Sequence, residues 1–481
     1  MTPEERIAAL EAENARLREQ VRELPALREQ IELLAAQVAG LQARLAKDSH
    51  NSSKPPSSDG LRRKTKSLRT PSGKKPGGQL GHRGETLRLQ ATPDVVVEHR
   101  PAVCVHCQAP LRDAAVLVRE RRQVQDLPPG RLVVTEHQAL HLGCPHCQQV
   151  SVGAFPPEVP SRAQYGPQVR ALAIYLVEEQ LVPLGRVQAL LSDLFAVQVG
   201  RGTLVAWVQQ AAAVLAPVED QIKAALRMAP VLHVDETGVR RGGQLAWAHV
   251  ASTSRLTHYA IQAQRGSAAT DTIGILPGFQ GVSVHDGWAS YQTYTGCRHA
   301  LCNVHHLREL TFVEEVERQA WAKDLKELLL GMRAAADQAR AHGWTQVPDR
   351  QRTAFRRQYR ALLACARRAN PPPDTPRRPG QRGRQAQSPT RNLLARLTLH
   401  EDQVLAFLDD LTIPFDNNQA ERDLRSFKIQ QKISGCFRSD SGAVAYARIR
   451  GYLATLRKQG RALLAALEAV FAGHPLAPEF A

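Results

Sequence analysis

Over the first 47 residues apolar side chains recur at alternating steps of three and four. Ile7, Leu10, Asn14, Leu17, Val21 and Leu24 fit one a/d frame, and Leu24, Leu27, Ile31, Leu34, Val38, Leu41 and Leu45 fit a second. The frame slips near Pro25, where a helix is expected to kink. This spacing predicts a coiled coil over residues 1–47, and Asn14 at an a position favours a defined dimeric register at some cost in stability. A single helix packed on its own protein is the other reading of the same stripe. The pattern then stops. Residues 48–98 open with DSHNSSKPPSSDGLRRKTKSLRTPSGKKPGGQLGHRG, too polar and too rich in Pro, Gly and Ser to bury a core, so a basic disordered linker is expected.

Helical periodicity returns over 160–226, in GPQVRALAIYLVEEQ, LGRVQALLSDLF and TLVAWVQQAAAVLA. The last two, separated by AVQVGRG, suggest a helix-turn-helix in a helical DNA-binding domain. Arg201, Gln209 and Gln210 are its candidate base-reading side chains, and plain helical packing accounts for the pattern equally well. From 227 the period becomes that of strands. VLHVDETG, GQLAWAHVAS and RLTHYAIQAQ are joined by Gly242-Gly243 and by residues 252–255, short turns that make the three strands antiparallel. SAATDTIGIL reads as a helix, GVSVHDGWASY as a fourth strand, and RHALCNVHHLREL as a fifth strand running into a helix. Three antiparallel strands, a helix and a fourth strand match a ribonuclease H-like core, in which the first and fourth strands are neighbours. The expected fold is therefore multidomain α/β. Its core would occupy 227–315 and 405–450, interrupted by a helical arginine-rich insertion over 316–404 and followed by a C-terminal helical tail over 451–481.

Charge narrows the partners. The formal net charge is +17, and it is concentrated. Residues 48–90 carry ten Lys/Arg against three acids, and residues 351–392 carry eleven Arg against Asp374 alone. Nucleic acid is the partner this balance points to. Arg62, Arg63, Lys64, Lys66, Lys74 and Lys75 are the linker residues expected on phosphates, unless the linker is only a solubilising spacer. No apolar run is long enough to span a bilayer, and MTPEERIAALEAEN has no apolar signal core, so a cytoplasmic, nucleoid-associated protein is expected. In that reducing compartment Cys104-Val-His-Cys107 and Cys144-Pro-His-Cys147 read as paired knuckles for one structural Zn²⁺ in a domain over 99–155. The 36 residues between them would need a hairpin through VVTEHQALHL to bring the pairs together.

Two carboxylates end apolar strands, Asp235 in VLHVDETG and Asp286, 51 residues on, in VSVHDGW. A third, Glu421, lies in PFDNNQAERDLRSFK, on a helix that would run back past the sheet. Each has a plain alternative: Asn418-x-x-Glu421 fits a capping box and Asp286-Gly287 fits a turn. Glu236 belongs to the opposite strand face. The order of NSSKPPSSD, GGQLGHRG, the CxxC pairs, HVDETG, HDGWASY, CNVHHLREL, DNNQAERDLR and GYLATLRKQGRALLAAL resembles the DDE transposases of the insertion sequence 66 group over nearly the whole chain.

That resemblance implies Asp235, Asp286 and Glu421 as the catalytic triad. It further implies double-stranded DNA (element ends and target) as substrate, a homo-oligomer, and small accessory proteins of the same element as further partners. Cys302-Asn-Val-His305 resembles a C-x-x-H signature of several DDE families. Three carboxylates within ~4 Å repel by ~4 kcal/mol per pair at an effective dielectric of ~20. Two Mg²⁺ (or Mn²⁺) ions per site would neutralise them and serve end cleavage followed by strand transfer. A DNA-binding regulator with an inactive core, or a nuclease that never joins ends, are the rival readings.

Overall fold

The computed structural model describes residues 2–52, 81, 87–127, 130–372 and 387–480. Helix α1 (Pro3–Leu45) opens with a capping box between Thr2 and Glu5. It runs through Pro25 as one helix. Proline removes one N–H, and on a helix this exposed the carbonyl four residues earlier can turn to water. The apolar stripe stays outside: Ile7 is 57% exposed, Ile31 64% and Leu34 58%. The packed-helix reading therefore fails. What does pack is the residue run just after the helix. Asn51 Nδ2 donates to Ala46 O at 2.9 Å and Asp48 N–H to Asn51 Oδ1 at 2.8 Å, burying Asn51 and Ser52. Beside this cap, Lys47 lies 5.0 Å from the Phe312 ring and His50 Nε2 lies 3.2 Å from Glu315 Oε1.

The knuckles are near copies of each other. Cys104 N–H donates to Ala109 O and Gln108 N–H to Cys104 O, both at 2.9 Å, with Gln108 at φ 61°. Cys144 and Gln148 repeat this with Gln149 O, and Gln148 has φ 59°. Strands β1 (His141–Gly143) and β2 (Val150–Val152) flank the second knuckle and pair antiparallel with each other. The hairpin expected through VVTEHQALHL does not form. Val133 and Val134 are more than 80% exposed, and residues 130–140 take no strand, while the expected turn lies partly outside the described residues.

From residue 166 the chain is closely packed. Helices α2 (Pro167–Ile174), α3 (Leu184–Phe195), α4 (Arg201–Val214) and α5 (Ala216–Arg227) precede β3 (Val231–Arg241), β4 (Gln244–Ser252) and β5 (Thr257–Gln262). Helix α6 (Ser267–Ile273) leads to β6 (Val282–His285), then β7 (Arg298–Leu301). The sheet order is β5-β4-β3-β6-β7, with β3/β4/β5 antiparallel and β3/β6/β7 parallel. Gly242 and Gly243 make the β3–β4 turn with φ of 54° and 79°, a region that residues with a Cβ avoid. Leu232 and Val234 enter a core shared with α2–α5, while Ala248 and Val250 on the other face meet Ala420, Leu424 and Phe427.

Helices α7 (Asn303–Glu315), α8 (Ala320–Ala341), α9 (Asp349–Ala369), α10 (Pro389–Leu399), α11 (Glu401–Val404) and α12 (Ala406–Asp409) form a second core against β6 and β7. Then come α13 (Asn418–Ser434), α14 (Asp440–Lys458) and α15 (Leu463–Phe471). Gly451 lets α14 sit on β5: a Cβ there would stand 3.2 Å from Thr257 O. Two boundaries drawn from sequence change. Helix α14 crosses residues 450–451 unbroken, and α2–α5 share one apolar core with the sheet, α14 and α15. The separator was read from motif spacing, which does not register whose apolar faces meet.

The arginine-rich insertion also reads differently. Arg352, Arg356 and Arg360 on α9 pair with Asp409 and Glu401, and Arg391 donates to Asn370 O at 2.5 Å. These arginines tie α9 to the helices that follow it, whereas Arg357 and Arg368 remain exposed. Residues 373–386, the Pro/Arg-rich run, lie outside the described residues. No helix among the described residues is long and apolar enough to cross a membrane.

Candidate active site

The sheet register sets the two aspartates side by side. His233 on β3 is opposite Val284 on β6 in the parallel pairing, so the same offset carried two residues on matches Asp235 with Asp286. Asp286 sits just beyond β6, where Gly287 turns the chain with φ 90° and Trp288 N–H donates to Asp286 Oδ1 at 2.9 Å. A histidine pair holds that turn from below. Gly287 N–H donates to His285 Nδ1 at 3.1 Å, so His285 carries its proton on Nε2 and donates to His299 Nδ1 at 3.1 Å. His299 Nε2 in turn donates to Tyr294 O at 3.2 Å. Burial pushes the His285 imidazole down to about 3, so the chain stays neutral and its tautomers follow from the hydrogen bonds.

Glu421 is in the first turn of α13. It does not cap that helix: the cap residue is Asn417, and Glu421 Oε1 is buried with no hydrogen-bond partner. Asn417 is the fixing point instead. Its side chain accepts from His233 Nδ1 at 2.8 Å and donates to Val234 O at 2.9 Å, and its backbone N–H donates to Cys302 Sγ at 3.2 Å. One buried asparagine thus ties the start of α13 to β3 and to the start of α7.

Electrostatics joins the three acids. Burial first, then the charges of Glu236, Asp286 and Glu421, push the Asp235 carboxyl well above the usual range. The group is looser than the ~4 Å cluster expected from sequence. Among the described residues, the one group of three ligands within 4.8 Å is Cys302, His305 and Glu421. Mutual repulsion opposes closer approach of the carboxylates, and Glu421 instead faces His305 Nε2 at 3.7 Å. Glu236 is committed elsewhere: it accepts from Arg265 Nε at 2.7 Å and from the Tyr291 hydroxyl. Arg265 itself stacks on Trp288 and Trp247, with centroid distances of 4.0 and 4.9 Å.

Chemically, an all-oxygen set of Asp235, Asp286 and Glu421 suits hard divalent cations such as Mg²⁺. The unpartnered Glu421 oxygen and the repulsion felt at Asp235 fit such an ion. The knuckles fit zinc only in halves. Backbone N–H groups of the following residues, Cys107 and Cys147 first, lower the Cys104 and Cys144 thiols. The two pairs, however, do not come together as one four-thiolate set among the described residues.

A family model described as Transposase IS66 family matches residues 162–445, more than half of the chain. The chain belongs to the IS66 transposase family. That membership gives it the family's DDE-type transposase domain, and Asp235, Asp286, Cys302, His305 and Glu421 all lie within the match. A second model, a family of unknown function (DUF6444), matches residues 2–88. The uncharacterized protein y4jO of Sinorhizobium fredii is 43% identical over 68 residues, which are 14% of this chain and 21% of that protein. The IS66-family chain thus spans about a fifth of that relative's length.

Arg62, Arg63, Lys64, Lys66, Lys74 and Lys75 lie outside the described residues. Arg201 is exposed at the start of α4 but bonds Gln188 Oε1 at 3.2 Å, Gln209 is half-buried and Gln210 is exposed. Sequence reasoning passed over Asn417, His299, Arg265 and Tyr291, and also a basic face beyond the triad glutamate. On α13, Arg422, Arg425 and Lys432 are exposed and have no ion pair among the described residues. Their helical spacing in ERDLRSFKIQQK is the signal that could have found them.

Proposed function

We propose that this IS66-family protein binds the terminal inverted repeats of a bacterial insertion sequence and catalyses Mg²⁺-dependent 3′-end cleavage and strand transfer. The observation that supports this is the β3–β6 register, which sets Asp235 beside Asp286, with Glu421 on α13 near enough for its charge to raise the Asp235 carboxyl. When bound, two Mg²⁺ (or Mn²⁺) ions supply charge neutralisation and nucleophile activation. Asp235, Asp286 and Glu421 would hold them, the His285–His299 pair fixes the Asp286 turn, and Asn417 fixes the helix that carries Glu421. The exposed basic face of α13 is suited to DNA phosphates beside the site.

The outer parts of the chain are assigned to recognition and assembly. The exposed stripe of α1 supports a homo-oligomer through a coiled coil, and each knuckle offers half of a structural Zn²⁺ set, Cys104 and Cys107 with Cys144 and Cys147, which the metal would draw together. α3 and α4 supply a helix-turn-helix-like DNA contact through Arg201 and Gln210, and the linker lysines and arginines meet DNA backbone. The reaction takes place on DNA in the cytoplasm, with small proteins of the same element as further partners.

The test is direct. Asp235→Asn, Asp286→Asn and Glu421→Gln each keep shape while removing one charge, and each should lower cleavage and joining of cloned element ends by at least ~10³-fold. Binding to those ends should survive. Glu236→Gln, whose carboxylate is already held by Arg265 and Tyr291, should keep most activity. Full activity in all three triad variants would overturn the assignment.

A further inference from the structure

Cys302, His305 and Glu421 lie close together for a reason that the all-oxygen site does not use. Cys302 caps the N-terminus of α7, and His305 stands three residues on, on the same face of the helix. Glu421 reaches them from the first turn of α13. One ligand atom from each lies within 4.8 Å of the other two. Cys302 is 1% exposed, and His305 and Glu421 have side-chain exposures of 13% and 24%. Two of the polar atoms there are buried without a partner, His305 Nδ1 and Glu421 Oε1. Glu421 Oε1 stands 3.7 Å from His305 Nε2, too far for a hydrogen bond, and a buried acceptor left so is costly unless a ligand satisfies it.

We propose that Cys302, His305 and Glu421 form a second metal site, for a thiophilic divalent cation of the Zn²⁺ class, which shares Glu421 with the carboxylate site. The donor set is sulfur, imidazole and carboxylate, which selects zinc-like ions over Mg²⁺. Three protein ligands leave a fourth position open to water. The outer contacts have the form such sites use: the Asn417 N–H already donates to Cys302 Sγ, and Asn417 is locked by His233 and Val234. Occupancy holds Glu421 on the Cys302 side, away from Asp235 and Asp286. Zinc-class ions then act as inhibitors of a Mg²⁺-dependent reaction at the same centre. The inference builds on the proposed function only through Glu421.

The test uses the full chain with Cys104, Cys107, Cys144 and Cys147 replaced by Ser, stripped of metal and titrated with Co²⁺. The expected result is one Co²⁺ bound through sulfur, seen as a single-thiolate charge-transfer band in the near ultraviolet that saturates at one equivalent. Cys302→Ala and, independently, His305→Ala should each weaken that binding by at least about 100-fold, since even outer-shell losses cost 10–100-fold. His305→Ala guards against a Cys302 variant that fails to fold, and both are checked by circular dichroism. Asp235→Asn should keep the band. Absence of a thiolate band, or a band unchanged by either replacement, overturns the site. Because the measurement contains no DNA, that failure leaves the transposase reading standing. Loss of cleavage in Asp235→Asn with the band retained bears on the transposase reading alone.

Discussion

The region before residue 153 and the region after 165 put their apolar residues to opposite use. In the first, the α1 stripe, Leu117, Leu127, Val133 and Val134 all face outward. In the second, Leu204, Leu226, Leu232, Val284 and Leu325 are fully buried. Exposed apolar surface on this scale marks interaction sites, and the zinc, DNA and second-copy contacts proposed above would cover it. The C-terminal region completes itself and carries the chemistry. Sequence motifs are dense in both. Density of motifs therefore says little about which region folds alone.

Zinc gives the largest test of that contrast. Binding one structural Zn²⁺ contributes roughly 10 kcal/mol or more to a small metal-dependent domain. Cys104→Ser with Cys107→Ser should release the metal, by elemental analysis of the purified chain, and weaken binding to element ends. The thermal transition of residues 166–480 should hardly move, because no knuckle residue belongs to its cores. A core that melts earlier when zinc leaves would show that the two regions are coupled after all.

Self-association is the next largest. A peptide of residues 1–47 should be helical and dimeric or larger by ultracentrifugation, since a 43-residue helix with one apolar stripe has no other way to cover it. Asn14→Leu should raise its stability and loosen its choice of oligomer. A monomer at high micromolar concentration would remove the coiled coil and leave the stripe to another partner.

The same contrast explains what was legible in the sequence. Strand order was readable because it rests on local signals, the Gly242-Gly243 turn and the short β4–β5 link, plus one parallel crossover. The two aspartates were readable as strand ends. Glu421 was readable on a helix running back past the sheet, but its neighbours Cys302 and His305 were not, since they lie more than a hundred residues away and only the folded chain joins them. Asn417 gave no signal for the three bonds it makes, because asparagine before a helix is an ordinary cap. Net charge did not register that acids 40 to 60 residues further on pair with Arg352, Arg356 and Arg360 of the insertion. Outside the cores, the hairpin expected between the knuckles is not seen among the described residues, where residues 130–140 take no strand.

The smallest predicted effect tests how completely the C-terminal region satisfies itself. Glu178 follows α2 and is buried, and its Oε2 has no hydrogen-bond partner. Its neighbour Glu179 takes the ion pairs with Arg450 and Arg457. Burial pushes the Glu178 carboxyl from 4.5 up to about 8, against a smaller opposing pull from Arg450. Between pH 4.5 and about 8 the folded state therefore binds a proton that the unfolded state has lost, and stability falls as pH rises through that window. Below it both states are protonated and the residue costs nothing. Glu178→Gln keeps the shape and removes the charge, so it should stabilise the protein at pH 8 by on the order of 1 kcal/mol or more, and by almost nothing at pH 4. Denaturant midpoints of the two proteins at both pH values give the comparison directly. An equal difference at pH 4 and pH 8 would mean that Glu178 does not titrate in this window, and that a water or a shifted side chain satisfies it.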